Sequence, residues 1–307
     1  MTTPLTFATV ASGDSTQLRI ATARPDGAAR ATVILLNGRT EFIEKYRDVI
    51  DQLVAAEFAV ATLDWRGQGR SARACANPGK GHVGDYAEFL ADLAALIGAA
   101  REAGLPAPFV MLAHSMGGHI GLRYLCAQPA DIVAAAFSAP MWDLPMPWGA
   151  RALAAALSNV AALVGAGCAY APGTGDYKRD PFEGNPLTGD PARYARMQAL
   201  VDADPRLGLG GPTLGWVKAT LASITALRAE TKARPPEVPV LVLSAGGDRI
   251  VSVPAHRAVA ARLPNATVVD YPDAEHEILM ERDDIHDDAM RRVVDFFAAA
   301  VGVGRAA

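Results

Sequence analysis

Cysteine is scarce in this chain: Cys75, Cys126 and Cys168 are the only three in 307 residues. The number is odd and the spacings are wide. They outline neither a disulfide framework nor a zinc site, so they read as small buried hydrophobes or free thiols. No group of His, Cys, Asp and Glu has metal-ligand spacing, and neither a metal nor any other cofactor is implied. An excess of charge of one sign is also missing. The 29 Lys and Arg face 33 Asp and Glu, for a net charge of -4, with no long run of either sign. Phosphate-backbone binding needs clustered basic residues, so nucleic acid is not an expected partner. The start of the chain, MTTPLTFATV, lacks a basic stretch followed by an apolar one. No signal peptide is expected, and the cytoplasm is the expected compartment. Internal repeats and low-complexity linkers are lacking, and nothing points to an obligate protein partner.

What the chain does have is core-forming material. Half of its residues are hydrophobic and 20% are charged, which excludes a disordered polymer. The length suits one large α/β domain carrying an insertion.

Two alternating segments, Thr6–Ala11 and Gln17–Thr22, flank Gly13 and Asp14 and predict a hairpin. Apolar runs at Ala31–Leu36, Ala59–Leu63, Phe109–Ala113, Ala134–Ser138, Val238–Ser244 and Ala266–Tyr271 predict buried strands. Helical spacing appears in Glu41–Ala56, Gly84–Ala103, Met116–Gln128 (closed by Pro129), Pro254–Leu263 and Asp283–Ala300. The alternation predicts an α/β fold: a mostly parallel eight-stranded sheet with helices on both faces. Between 140 and 235 the rhythm breaks into Gly/Pro-rich turns with two expected helices. That stretch is expected to be a helical cap above the carboxyl edge of the sheet, with 1–139 and 236–307 forming the core.

The strongest chemical signal is Ala113-His114-Ser115-Met116-Gly117-Gly118, set between a strand and a helix. A serine on that sharp turn stands out over the sheet edge, and its neighbours two positions away must be small. Ala113 stands where glycine is more usual. A nucleophilic serine needs a base, and the base an orienting acid, in the chain order Ser, Asp or Glu, His. Of the six histidines, only His276 follows a late strand and precedes the last helix in a loop. For the acid, Asp248 follows a strand through Ala245-Gly246-Gly247; Asp273, three residues before His276, is the rival and also reads as a turn former. Asp248 is preferred. Two backbone N–H groups should form the oxyanion hole, that of Met116 and one from the loop Asn37–Glu41, for which Arg39 is chosen by position.

The segments LLNGRTEFIEKY (35–46), DWRGQGRS (64–71), AHSMGG (113–118) and SAGGDRI (244–250) resemble the lysophospholipase and monoacylglycerol lipase branch of the serine α/β-hydrolases. NPLTGDPARYARMQAL (185–200) and GGPTLGW (210–216) resemble the cap of bacterial lysophospholipase-like members. The resemblance spans about Ala31 to Phe297 and implies hydrolysis of esters carrying one acyl chain through an acyl-enzyme. Asn37 stands where many relatives have His. Gly67-Gln68-Gly69 lacks the third glycine of a dinucleotide site and reads as a structural loop that Arg66 braces.

Ala152–Ala171 carries no charge over twenty residues, but it is mostly Ala and Gly and lies between two halves of one sheet. It is expected to be a cap helix facing a lipid pocket, with the cap touching a membrane surface transiently. Trp142 and Trp216 are expected pocket residues beside Glu41; the alternative for the tryptophans is the cap's own core, and for Glu41 a solvated helix face. Competing readings of the whole are a short-chain esterase, an amidase or aminopeptidase on the same scaffold, and a catalytically silent binding protein.

Overall fold

The computed structural model describes residues 2–127 and 131–303, with the side chain of Val303 left aside. β1 (Thr6–Ala11) and β2 (Gln17–Ala23) form the antiparallel hairpin, and β2 pairs antiparallel with β4 (Phe58–Leu63). From β4 the sheet continues in parallel through β3 (Ala31–Leu36), β5 (Phe109–His114), β6 (Ile132–Ser138), β7 (Val240–Ala245) and β8 (Ala266–Tyr271). The strand order is β1-β2-β4-β3-β5-β6-β7-β8. β3, β4, β5 and β7 are buried at every position, which is why they read as continuous apolar runs.

Successive side chains feed two apolar layers. On one face Val33, Leu35, Val110 and Leu112 meet Leu53 of α1 (Arg47–Ala55) and Phe297 of α8 (Asp283–Val303). On the other, Ile34, Leu36 and Met111 meet Phe89 of α2 (Tyr86–Glu102) and Ile120 of α3 (Ser115–Cys126). The helix expected from Glu41 begins later, as a 3₁₀ turn at Ile43–Tyr46 that runs into α1. The residues before it are committed to a loop at the site. The end expected for α3, at Gln128 and Pro129, lies outside the described residues.

Three α-helices, not two, lie between β6 and β7: α4 (Trp148–Leu163), α5 (Pro191–Ala203) and α6 (Leu214–Ala233). The buried face of α6 includes Thr220, Ser223 and Thr231 beside Ile224 and Leu227, so its hydrophobic rhythm is blurred in the sequence. α6 packs along α3, and its Ala219 and Leu227 belong to the apolar layer of the sheet. α7 (Val253–Ala260) completes the set.

The expectation of separate thiols fails for two of the three cysteines. Cys75, after β4, is disulfide-bonded to Cys168, after α4, with the Cα atoms 6.0 Å apart. Only the tertiary fold brings residues 93 apart in sequence into register, so spacing alone carried no sign of it. Cys126 is free and buried. Among the described residues no helix is long and apolar enough to cross a membrane.

Candidate active site

The carboxyl ends of the central strands β3 and β5 and the loops after β7 and β8 converge at one point of the sheet edge. Ser115 sits there, where buried β5 turns directly into α3. Its φ of 51° is in the left-handed region, which a non-glycine residue occupies only when its surroundings impose it. The small residues after it are obligatory. A Cβ on Gly117 would come within 2.6 Å of the carbonyl oxygens of Leu36 and Asn37, and one on Gly118 within 2.8 Å of Pro140.

His276 lies in the loop between β8 and α8. Its Nε2 is 2.9 Å from Ser115 Oγ, and its Nδ1 is 2.6 Å from Asp248 Oδ2. The other carboxylate oxygen of Asp248 accepts the backbone N–H groups of Ile250 (2.8 Å) and Val251 (3.0 Å). Burial opposes ionisation of Asp248, but the hydrogen bond and charge of His276, with those two N–H groups, hold its carboxyl below the usual value. Asp273 is exposed on the turn ahead of His276. The structure therefore brings together Ser115, His276 and Asp248 of the residues weighed from the sequence.

The loop after β3 faces Ser115. Asn37 donates from Nδ2 to the Leu63 carbonyl (2.7 Å), and Trp65 Nε1 donates to the Asn37 carbonyl (2.9 Å). Gln68 Nε2 donates to the carbonyls of Gly38 (2.7 Å) and Glu41 (2.9 Å). Asp64-Trp65-Arg66-Gly67-Gln68 thus clamps this loop, a role that sequence reasoning missed because its partners are backbone carbonyls. Arg66 braces the clamp through Asp92, Glu88 and Asp14. A side chain at Gly38 would collide with Glu41 and crowd His114 and Ser115. The Gly38 N–H is taken by the Glu41 carboxylate. Among the described residues the Arg39 N–H finds no protein acceptor. The Met116 N–H belongs to the first turn of α3, where backbone donors have no intrahelical partner. The α3 dipole adds to any anion stabilisation there.

Below the loop lies a buried charged group. Glu41 accepts from Tyr46 Oη (2.7 Å) and Lys45 Nζ (2.8 Å), and Lys45 reaches Glu277 at 2.5 Å. Burial opposes ionisation of Glu41, but Lys45, His114 and Tyr46 outweigh it and hold the carboxyl at about 2. Burial, with the nearby Glu41 charge, pushes Glu277 upward in spite of Lys45. The His114 ring stands 4.7 Å from that of His276, and burial pulls it down to about 4. Glu41 is therefore occupied by internal partners and is neither a solvated helix residue nor open to a ligand. Trp142 is buried, donates from Nε1 to the Gly118 carbonyl (3.3 Å) and packs edge-on against Phe137 and His256. Trp216 lines an apolar cleft of about 450 Å³ together with Leu144, Met146, Leu153, Leu157 and Leu214.

Residues 27–283 match the family described as "Serine aminopeptidase, S33". The chain belongs to that family. It is 32% identical to the lysophospholipase L2 of Escherichia coli (strain K12) over 272 residues, 86% of this chain and 79% of that protein. It is 28% identical to the monoacylglycerol lipase of Mycolicibacterium smegmatis over 260 residues, 84% of this chain and 85% of that one. Among solved structures it superposes on a thermostable carboxyl esterase from Bacillus coagulans with a TM-score of 0.81 at 18% identity, covering 98% of this chain and 100% of that one. These matches show the α/β-hydrolase fold and the lysophospholipase and monoacylglycerol lipase branch expected from the sequence, and the chain is an enzyme of the serine ester-hydrolase class.

Proposed function

We propose that this enzyme cleaves carboxylic esters of monoacyl lipids, with Ser115 as nucleophile, His276 as general base and Asp248 as its orienting acid. The observation that carries the reading is the hydrogen-bonded chain Ser115–His276–Asp248, with Gly38 of the loop after β3 close against Ser115. Ser115 Oγ attacks the ester carbonyl carbon while its proton passes to His276 Nε2, and Asp248 stabilises the imidazolium. The carbonyl oxygen becomes an oxyanion held by the N–H groups of Arg39 and Met116. Collapse expels the alcohol, which takes the proton from His276 and leaves an acyl-Ser115 ester. Water, deprotonated by His276, attacks that ester and releases the fatty acid.

The segment between β6 and β7 is read as a cap, with α4 and α5 over the site and α6 fastening it to the core. The apolar cleft under α4 has the size of a ligand pocket and suits one acyl chain. α4 also turns Trp148 (85% exposed), Leu163 (86%) and Val164, just beyond its end, to solvent. That supports transient contact of the cap with a lipid surface. The aminopeptidase activity in the family's description requires a free acidic group to hold a terminal amine. Asp248 is engaged by His276, and the buried carboxylates Glu41 and Glu277 already share Lys45.

A p-nitrophenyl ester series tests the reading. A buried methylene contributes about 0.8 kcal/mol, so kcat/KM should rise several-fold per two carbons until the cleft is full. A maximum at acetate with a steady fall would replace the lipid reading with a short-ester or amide hydrolase.

On compartment, the cytoplasm expected from the first residues competes with an oxidising compartment, which the Cys75–Cys168 disulfide favours. Alkylation of the two cysteines in intact cells decides between them.

A further inference from the structure

Arg39 differs from most of the partly buried arginines of this protein. Among the described residues Arg73 alone shares its lack of a carboxylate contact, and Arg73 donates instead to the carbonyls of Gly67, Gly69 and Arg206. Arg19, Arg66, Arg123 and Arg193 each contact a carboxylate within salt-bridge distance. Among the described residues Arg39 contacts none. Its Nη2 donates to the Gly210 carbonyl (2.9 Å), and its buried Nε has no partner at all. Burial pulls its pKa down to about 10, so the group remains a cation at neutral pH, held without a counter-ion. A buried, unpaired guanidinium is costly to keep, and its planar fork is suited to phosphate.

Its position gives it a use. The Arg39 guanidinium lies over the Trp216 ring, 5.1 Å from the centroid. Trp216 lines the apolar cleft, whereas Arg39 lines a second, polar cleft of about 570 Å³. The stacked pair therefore marks the boundary between an apolar and a polar compartment. Lys45, another cation of the polar cleft, is already held by Glu41 and Glu277. The backbone N–H of Arg39 is the proposed oxyanion donor, so an ester bound there would lie at the same boundary. In a 1-acyl lysophospholipid, the ester carbonyl carbon is separated from phosphorus by as many bonds as separate the Arg39 backbone nitrogen from its guanidinium carbon. With the ester at the N–H and the acyl chain against Trp216, the tether is long enough for the phosphate to reach the guanidinium.

We propose that the Arg39 side chain binds the head-group phosphate and makes the enzyme select lysophospholipids over neutral monoacylglycerols. This inference rests on the monoacyl-ester reading and goes beyond it by naming the head group. The phosphate displaces no carboxylate from Arg39, because among the described residues none contacts it, although Asp176 and Asp180 line the same polar cleft with Lys178. It supplies the counter-charge that Arg39 lacks and the acceptor that its Nε lacks.

The test is the ratio of kcat/KM for 1-palmitoyl lysophosphatidylethanolamine to that for 1-palmitoylglycerol. Both substrates carry the same acyl chain and use the same oxyanion loop, so a general loss from disturbing residue 39 cancels in the ratio. Arg39→Met should lower the ratio by about tenfold to a hundredfold, the range of a charge-assisted hydrogen bond. Arg39→Lys, which keeps the charge without the fork, should fall between the two. If both lipids are hydrolysed and Arg39→Met leaves the ratio unchanged, the head-group assignment is overturned and the monoacyl-ester reading stands. If neither lipid is hydrolysed while short esters are, both fall. Micromolar inhibition by inorganic phosphate, lost in Arg39→Met without change in the ratio, would overturn the head group in favour of a free anion.

Discussion

The carboxylate of Glu41 accepts a hydrogen bond from the backbone N–H of Gly38, three residues before it. That bond ties the loop after β3 to a buried carboxylate held ionised by Lys45 and Tyr46. It removes Gly38 from the free donors of this loop, whereas the Arg39 N–H, the proposed oxyanion donor, has no protein acceptor among the described residues. Through Lys45 the same group reaches Glu277, the residue after His276. Both halves of the proposed machinery thus rest on one buried cation.

Glu41→Ala should therefore cost both stability and turnover. Removing one partner of a buried ion pair costs about 3–5 kcal/mol, and loosening one oxyanion donor costs on the order of 10²-fold in kcat. Glu41→Gln, which can still accept from Gly38, should be milder in both. Urea denaturation and kcat on a soluble ester measure the two effects. Wild-type kcat in the alanine variant would mean that Gln68 and Asn37 hold the loop unaided.

The Cys75–Cys168 bond closes a loop of about ninety residues between the segment after β4 and the end of α4. Replacing both cysteines with serine should lower stability by roughly 4.6 kcal/mol on the chain-entropy account. Thiol titration of the unfolded protein should count one thiol, Cys126, before reduction and three after it. Three thiols in protein purified without reductant would show the bond unformed.

Acid should destabilise the fold through neutral buried histidines. Burial holds His114 and His256 at about 4 and His119 at about 3. The unfolded chain takes up these protons near pH 6.5. Between that pH and the lower folded values the unfolded state binds more protons, so stability falls as pH falls; above it these groups contribute no slope. Each histidine adds up to about 1.4 kcal/mol per pH unit. His119 bridges the Met141 carbonyl (3.0 Å) and Ser223 Oγ (2.6 Å). His119→Gln should flatten the slope between pH 4 and 6 by that amount, measured by denaturant melts at several pH values. Parallel slopes would mean that the ring is not kept neutral.

Asp248→Asn should lower kcat by about 10⁴-fold, the loss seen when the triad acid no longer fixes the imidazole tautomer. Asp273→Asn, at an exposed turn position, should change it little. Steady-state kinetics on one soluble ester rank the two, and the opposite order would give the acid role to Asp273.

The sheet was legible in the sequence because its central strands are buried on both faces and so appear as short apolar runs bounded by turns. Ser115, His276 and Asp248 were legible for a related reason: each follows a strand, and a residue just past a strand's carboxyl end has few places to point. The rest depends on contacts made by backbone or across long separations. Gln68 acts on carbonyl oxygens, which any residue offers. Cys75 and Cys168 meet only when the loop after β4 and the end of α4 are folded together. The third helix of the cap was not expected, and in α6 the rhythm is blurred by Thr220, Ser223 and Thr231, polar residues on its buried face. Arg39 stood out by position alone; that its guanidinium lacks a carboxylate is a fact of three dimensions.

The central claim is that Ser115 carries the acyl group. Treatment with a fluorophosphonate, followed by peptide mass spectrometry, tests it most directly. The account predicts a single adduct on Ser115, and no adduct in Ser115→Ala, whose ester hydrolysis should fall by about 10⁴-fold or more. An adduct on another residue, or labelling that persists in Ser115→Ala, would contradict it.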